Sequence, residues 1–168
     1  MKLQQIENGE DVLIDTNVLV YANQQKSEQC RQLLRRCATR EVKGILPMPV
    51  VAELVHTLMI IEARENNWIE RANPSRALAE HPETVSRLNR YQTQVRECLG
   101  IGFRIEPATQ IDIIEAMAIQ RELGLLTNDA LILAIARRLN CKSVATADRA
   151  FEKAQGFLVY APTDVSIS

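Results

Sequence analysis

Apolar positions along this chain follow two rhythms. Short, nearly continuous runs recur at "DVLID" (11–15), "VKGILP" (42–47), "FRIEP" (103–107), "SVATA" (143–147) and "FLVYA" (157–161). Runs this brief, apolar on consecutive positions, fit strands buried on both faces. Between them the apolar residues spread to intervals of three and four, which predicts helices. "NVLVYA" opens a short helix after the first strand, and "SEQCRQLLRRCAT" is amphipathic with Ser27 as its N-cap. "PVVAELVHTLMIIEAR" predicts a largely buried helix after Pro47. "ATQIDIIEAMAIQRELG" carries a capping box, Thr109 to Asp112, and stops near Gly124. "DALILAIARRL" gives another helix and "DRAFEKA" a short one. Strands alternating with helices pair in parallel through right-handed crossovers. The pattern therefore predicts a three-layer α/β/α sandwich about a five-stranded parallel sheet.

Residues 62–98 depart from both rhythms. They are polar, hold the only Trp, and mix Arg with Glu throughout. Two helical pieces are expected there, broken near "NPS" and "HPE", as an excursion from the core. With 168 residues, no internal repeat and no low-complexity linker, the chain is expected to form one domain over 1–168.

Composition narrows the function. An apolar content of 46% with 24% charged residues is ordinary for a soluble domain. The start, "MKLQQIENGE", has no apolar signal core. The longest apolar-rich stretch, "PMPVVAELVHTLMII", is too short to span a bilayer and contains Glu53 and His56. A cytoplasmic location with no membrane partner is the expectation. The 4 Cys lack metal-ligand spacing and are expected as reduced packing thiols, and 2 His exclude a histidine-rich metal site. A net charge of −1 excludes a protein that holds nucleic acid by overall charge. Binding RNA would require a local basic patch, bound metal ions, or both. His56 follows Glu53 by three, but without a second Glu-x-x-His it reads as a packed core histidine. "GIG" at 100–102 precedes a strand, so it is no dinucleotide fingerprint, and there is no P-loop or H-E-x-x-H.

Four acids hold more information. Asp15 follows "VLI", Asp148 follows "SVATA", Asp129 opens the helix after "GLLTN", and Glu53 lies in the first turn of the helix that follows the second strand. In open parallel sheets, ligands sit beyond the C-terminal ends of the strands. Each acid also has a structural reading. Asp15 and Asp148 suit N-caps, and Asp129 suits a first helical turn capped by Thr127. Glu53 is the only formally charged residue between Pro47 and Ile61, with no Lys or Arg a turn away. Buried and unpaired it would cost several kcal/mol. Four carboxylates at one end of a sheet repel, so they either take up protons or bind cations. Oxygen-only ligands suit Mg²⁺ or Mn²⁺.

"DTNVL", "PVVAELVHTL", "LLTNDALILAIA" and "VATADRAF", in this order, resemble a PIN domain, most closely a VapC-type toxin ribonuclease. The resemblance spans almost the whole chain and is weakest over 62–98, an excursion longer than the compact toxins carry. It implies that Asp15, Glu53, Asp129 and Asp148 are the catalytic and metal-site acids, with Thr16, Asn17, Thr127 and Thr146 the polar groups beside them. It also implies a Mg²⁺- or Mn²⁺-dependent endoribonuclease hydrolysing RNA phosphodiester bonds, a homodimer, and a cognate antitoxin that blocks the site. For RNA contact, "TVSRLNRYQTQVR" is free of acids and places Arg87, Arg90 and Tyr91 on one helix face. That face has a plainer reading as a solvated surface. Arg149 is a further phosphate-contact candidate, while Arg137 and Arg138 suit the C-terminal dipole of their own helix. Two other functions stay open. One is a non-catalytic PIN-like module binding RNA or protein. The other is a Mg²⁺-dependent phosphatase of another α/β family; a haloacid-dehalogenase-type site, however, wants an Asp where Asn17 stands.

Overall fold

Val12, Leu13 and Ile14 are consecutive and wholly excluded from solvent. Neighbouring strand residues point to opposite faces, so both faces of this strand must be covered. The computed structural model, which describes residues 1–69 and 72–165, makes it the centre of the molecule. The five apolar runs are strands: β1 (Asp11–Ile14), β2 (Lys43–Pro47), β3 (Arg104–Glu106), β4 (Ser143–Ala145) and β5 (Leu158–Tyr160). They form one all-parallel sheet in the order β3-β2-β1-β4-β5. Leu13 aligns with Ile45 of β2 on one side and Val144 of β4 on the other. Gly44 in β2 is required by packing, because a Cβ there would meet the Phe103 ring at 2.6 Å.

The helices are α1 (Thr16–Asn23), α2 (Glu28–Ala38), α3 (Met48–Glu65), α4 (Pro74–Glu80), α5 (Pro82–Arg87), α6 (Arg90–Leu99), α7 (Gln110–Leu123) and α8 (Thr127–Arg138). Ser27 caps α2 by accepting from the Cys30 N–H at 3.0 Å. Thr109 and Asp112 form the capping box of α7, and Gly124 ends that helix at φ 70°. The chain winds outward from β1 to β3, then returns across β1 to build β4 and β5. The strand order therefore reverses between β1 and β4, which opens a crevice at their C-terminal ends.

Several expectations need correction. Among the described residues the excursion contains three helices of its own, not two, because the "HPE" break at His81 is followed by a second at Leu88 and Asn89. Leu88 turns extended (ψ 132°) to bury itself against Ala63 and Leu78. Arg87 thus ends α5 and Arg90 begins α6, so Arg87, Arg90 and Tyr91 share no helix face. "DRAFEKA" forms a 3-10 turn at Arg149–Lys153 rather than an α-helix. His56 is exposed, not in the core, and its Nε2 lies 2.9 Å from Ser75 Oγ. Arg137 and Arg138 do more than face their helix dipole: Arg137 pairs with Glu115 at 2.6 Å, and Arg138 with Asp112 at 2.8 Å and Glu106 at 2.7 Å. These pairs clamp α8 to α7 and to the end of β3. The four cysteines are free thiols, and burial pushes Cys37 up to about 12, so it stays protonated. Among the described residues no helix is long and apolar enough to cross a membrane.

Candidate active site

Topology decides where the acids go. A residue that follows a strand, or opens the helix after it, emerges at the C-terminal edge of the sheet. Asp15 follows β1 and Asp148 closely follows β4. Glu53 sits in the second turn of α3, which leaves β2 directly. Asp129 lies in the first turn of α8, and the opposite end of that helix feeds β4.

Asp15 is buried to 6% exposure and held by donors. Its Oδ1 accepts the Thr16 N–H at 2.6 Å, so it caps α1. Its Oδ2 accepts the Asn17 amide and, at 2.6 Å, the Thr146 hydroxyl. Asn17 Oδ1 accepts the Ala147 N–H at 2.8 Å; only a donor is present there, so the amide nitrogen must face Asp15. Thr146 Oγ1 also accepts the Asp148 N–H at 3.0 Å. Asn17 and Thr146 thus stitch the end of β1 to the end of β4 and fix the Asp15 carboxylate. Buried Thr16 reaches the Val50 carbonyl at 3.5 Å, at the limit of a hydrogen bond.

Glu53 is half-buried rather than enclosed, which is why its apolar stretch tolerates it. Its Oε2 accepts the Asn128 amide at 3.1 Å. Sequence reasoning missed Asn128, although its place beside Asp129 in "TNDA" was a signal. Asp148 is exposed and accepts the Ala150 N–H at 2.8 Å, capping the 3-10 turn. The capping readings of Asp15 and Asp148 therefore both hold alongside any chemical role. Thr127 does not cap α8; Leu126 occupies that position, and Thr127 Oγ1 accepts from Gln120 at 3.3 Å. Arg149 is exposed in the 3-10 turn beside Asp148.

The four acids share one field. Burial raises Asp15 from 3.8 to about 6, against the pull of its Thr146 and Thr16 hydrogen bonds, and Glu53 and Asp148 raise it further. Burial also raises Asp129 to about 6, followed by repulsion from Asp15, Asp148 and Glu53. Among the described residues none of the four is in an ion pair. Repulsion without a protein cation fits a donor set for a hard divalent ion: carboxylate oxygens alone, one already oriented by its neighbours. The acids are gathered rather than closed into a cage. Among the described residues no group of three or more His, Cys, Asp or Glu side chains stands where it would already hold an ion.

The other predicted contacts lie in the excursion. Arg87 stacks on Trp68, 4.2 Å from the ring centroid. Arg90 pairs with Glu65, and the Tyr91 N–H donates to Glu62 at 2.7 Å.

No curated protein matches the chain in sequence. Among solved structures, VapBC2 from Rickettsia felis bound to a DNA fragment from its promoter is similar, with TM-score 0.59 and 17% identity over 90% of this chain and 98% of that one. A toxin–antitoxin complex from Klebsiella pneumoniae gives 0.58 and 18% over 93% and 99%. VapC20 of Mycobacterium tuberculosis, a sarcin–ricin loop cleaving toxin, gives 0.53 and 17% over 88% and 96%. At these identities the likeness speaks to the fold alone. The PIN domain family model matches residues 12–156, from the first residues of β1 past the 3-10 turn. That span takes in all four acids and the strands β1 to β4, apart from Asp11 at the start of β1, and the chain belongs to the PIN domain family.

Proposed function

We propose that this PIN domain is a Mg²⁺- or Mn²⁺-dependent endoribonuclease, the toxin of a VapBC-type pair. One observation carries the reading: four carboxylates from four separate elements lie within one another's fields at the strand-order reversal, with no ion pair among the described residues to neutralise them. Asp15, Glu53, Asp129 and Asp148 would hold the divalent cation. When bound, that ion neutralises charge at the scissile phosphate and lowers the pKa of an attacking water. Asn17 and Thr146 keep the Asp15 carboxylate aimed by hydrogen bonding one of its oxygens. Asn128 does the same for Glu53. Arg149, exposed beside Asp148, would meet a phosphate.

Two of these similar structures, VapBC2 of Rickettsia felis and the Klebsiella pneumoniae pair, are toxin–antitoxin complexes, which supports a cognate antitoxin as partner. The homodimer implied by the resemblance has a surface to use: α7 leaves Ile111 at 72%, Ile114 at 57% and Met117 at 52% exposed. A second copy would cover it through a two-fold contact.

The test incubates purified protein with total RNA and Mn²⁺, then with EDTA, then with Mn²⁺ restored. Cleavage that follows the metal and disappears in Asp129→Asn supports the assignment. RNA binding with no cleavage in either ion favours the non-catalytic module, a reading favoured by the open spacing of the acids. Turnover of p-nitrophenyl phosphate without RNA cleavage favours the phosphatase.

A further inference from the structure

We infer that the excursion carries a base-binding pocket for single-stranded RNA, with Trp68 as its stacking surface. The inference rests on the ribonuclease reading for its ligand but on separate residues for its evidence. A cavity of about 300 Å³ opens in the excursion, the lower end of the range for a small-ligand pocket. Trp68 lines it, together with Asn73, Arg76, Glu80 and His81. An aromatic residue among polar neighbours that can donate and accept is the combination that reads an unstacked base.

One hydrogen bond links a helix of the cavity to the helix that carries Glu53. The helix that lines it, α4, is tied to α3 by the His56–Ser75 hydrogen bond, and His56 lies one turn beyond Glu53 on the same helix. Trp68 also has a firm backing. It packs with Met59 and Ile60 of α3 against Leu78 and Leu88, and Arg87 covers its ring. Arg87, which covers the Trp68 ring, is not among the residues that line the cavity.

The need for such a pocket follows from charge. A chain of net charge −1 with four gathered acids repels a phosphate backbone. Stacking supplies affinity that does not depend on charge, and every base offers a ring face. Arg76 is 78% exposed and, among the described residues, engaged only to Glu80 at 2.7 Å, which leaves it able to meet a passing phosphate.

The chain contains 1 Trp, so its own fluorescence reports from the pocket wall. The experiment titrates Asp129→Asn, in EDTA to prevent cleavage, with a single-stranded oligoribonucleotide of about ten nucleotides. Emission should be quenched as binding proceeds, and a duplex of the same length should leave it unchanged. Trp68→Ala, followed by anisotropy of labelled oligonucleotide, should weaken binding about tenfold, and Trp68→Phe should restore most of it. Arg76→Ala, at an exposed position, should cost about fivefold with an unchanged melting curve. In the otherwise unaltered chain, Arg76→Ala should raise KM and spare kcat. Oligonucleotide that binds without altering Trp68 emission, that fails to bind at all, or that binds Arg76→Ala with full affinity would overturn the pocket. Cleavage with unaltered emission removes the pocket and leaves the nuclease; quenching with no cleavage by the unaltered chain removes the nuclease and leaves the pocket.

Discussion

Asp129 accepts no hydrogen bond among the described residues, whereas Asp15 accepts three. That contrast separates two substitutions that look alike. In Asp129→Asn a repelled charge disappears and no partner is lost. The metal-free protein should gain about 1 kcal/mol at pH 7, a value reduced because the group is only half-buried, while cleavage is abolished. In Asp15→Asn the new amide nitrogen must face either the Thr16 N–H or the Asn17 and Thr146 donors. One donor loses its acceptor, so relief of repulsion is cancelled and melting should show no gain. Equal stabilisation by both would contradict the hydrogen bonds described for Asp15. Thr146→Val removes a donor to Asp15 and leaves the Asp148 N–H without its acceptor. Activity should fall about 10- to 100-fold with the fold retained, as for groups that orient a metal ligand. Wild-type turnover in Thr146→Val would show that Asp15 is aimed by something else.

At the level of elements, one carboxylate ties the end of α3 to the start of α6. Glu62 is 3% exposed, and it accepts the N–H groups of Asn89, Arg90 and Tyr91 at 3.0, 3.1 and 2.7 Å. A charge at a helix N-terminus satisfies donors that the helix itself leaves free. Burial works against that charge, yet the three N–H bonds hold Glu62 below its ordinary value. Glu62→Gln should cost about 2 kcal/mol and raise hydrogen exchange in α6 before it does so in β1. Uniform exchange across both would place the loss in the core instead. None of this was legible from periodicity. Glu62 belongs to α3 by sequence and to α6 by function, and local pattern cannot register a partner some 27 positions away. Arg138 was obscured for the same reason: its place at a helix end fitted the dipole, and its partners Asp112 and Glu106 are long-range. Caps were legible, because Ser27, Thr109 and Asp112 act within three residues.

For the whole molecule, the sheet was legible because its inner strands are buried on both faces and leave unbroken apolar runs. The gathering of the acids was legible because parallel topology sends every strand end to one edge. Their spacing was not, since it depends on how far α3 and α8 stand from the crevice. That gathering has a measurable consequence for stability. Asp15 and Asp129 each sit at about 6 in the fold against an ordinary 3.8. Between those values the native state holds more protons than the unfolded chain, so stability falls as pH rises from about 4 to about 6. Glu62, Asp112 and Asp164 are lowered, with the opposite sign: their contribution is present above the ordinary carboxylate range and lost as pH falls through their folded values. The two trends place the maximum stability of the metal-free protein near pH 4 to 5, below neutrality. A divalent ion that binds the ionised acids stabilises the fold by mass action, and does so only where they are deprotonated. Melting curves from pH 3.5 to 8 should therefore show Mn²⁺ raising Tm above pH 6 and leaving it unchanged at pH 4. In Asp129→Asn the fall between pH 4 and 6 should be shallower and the Mn²⁺ response weaker. A Tm rise with Mn²⁺ that is equal at pH 4 and pH 8 would mean the ion binds elsewhere, and the acids would return to being caps.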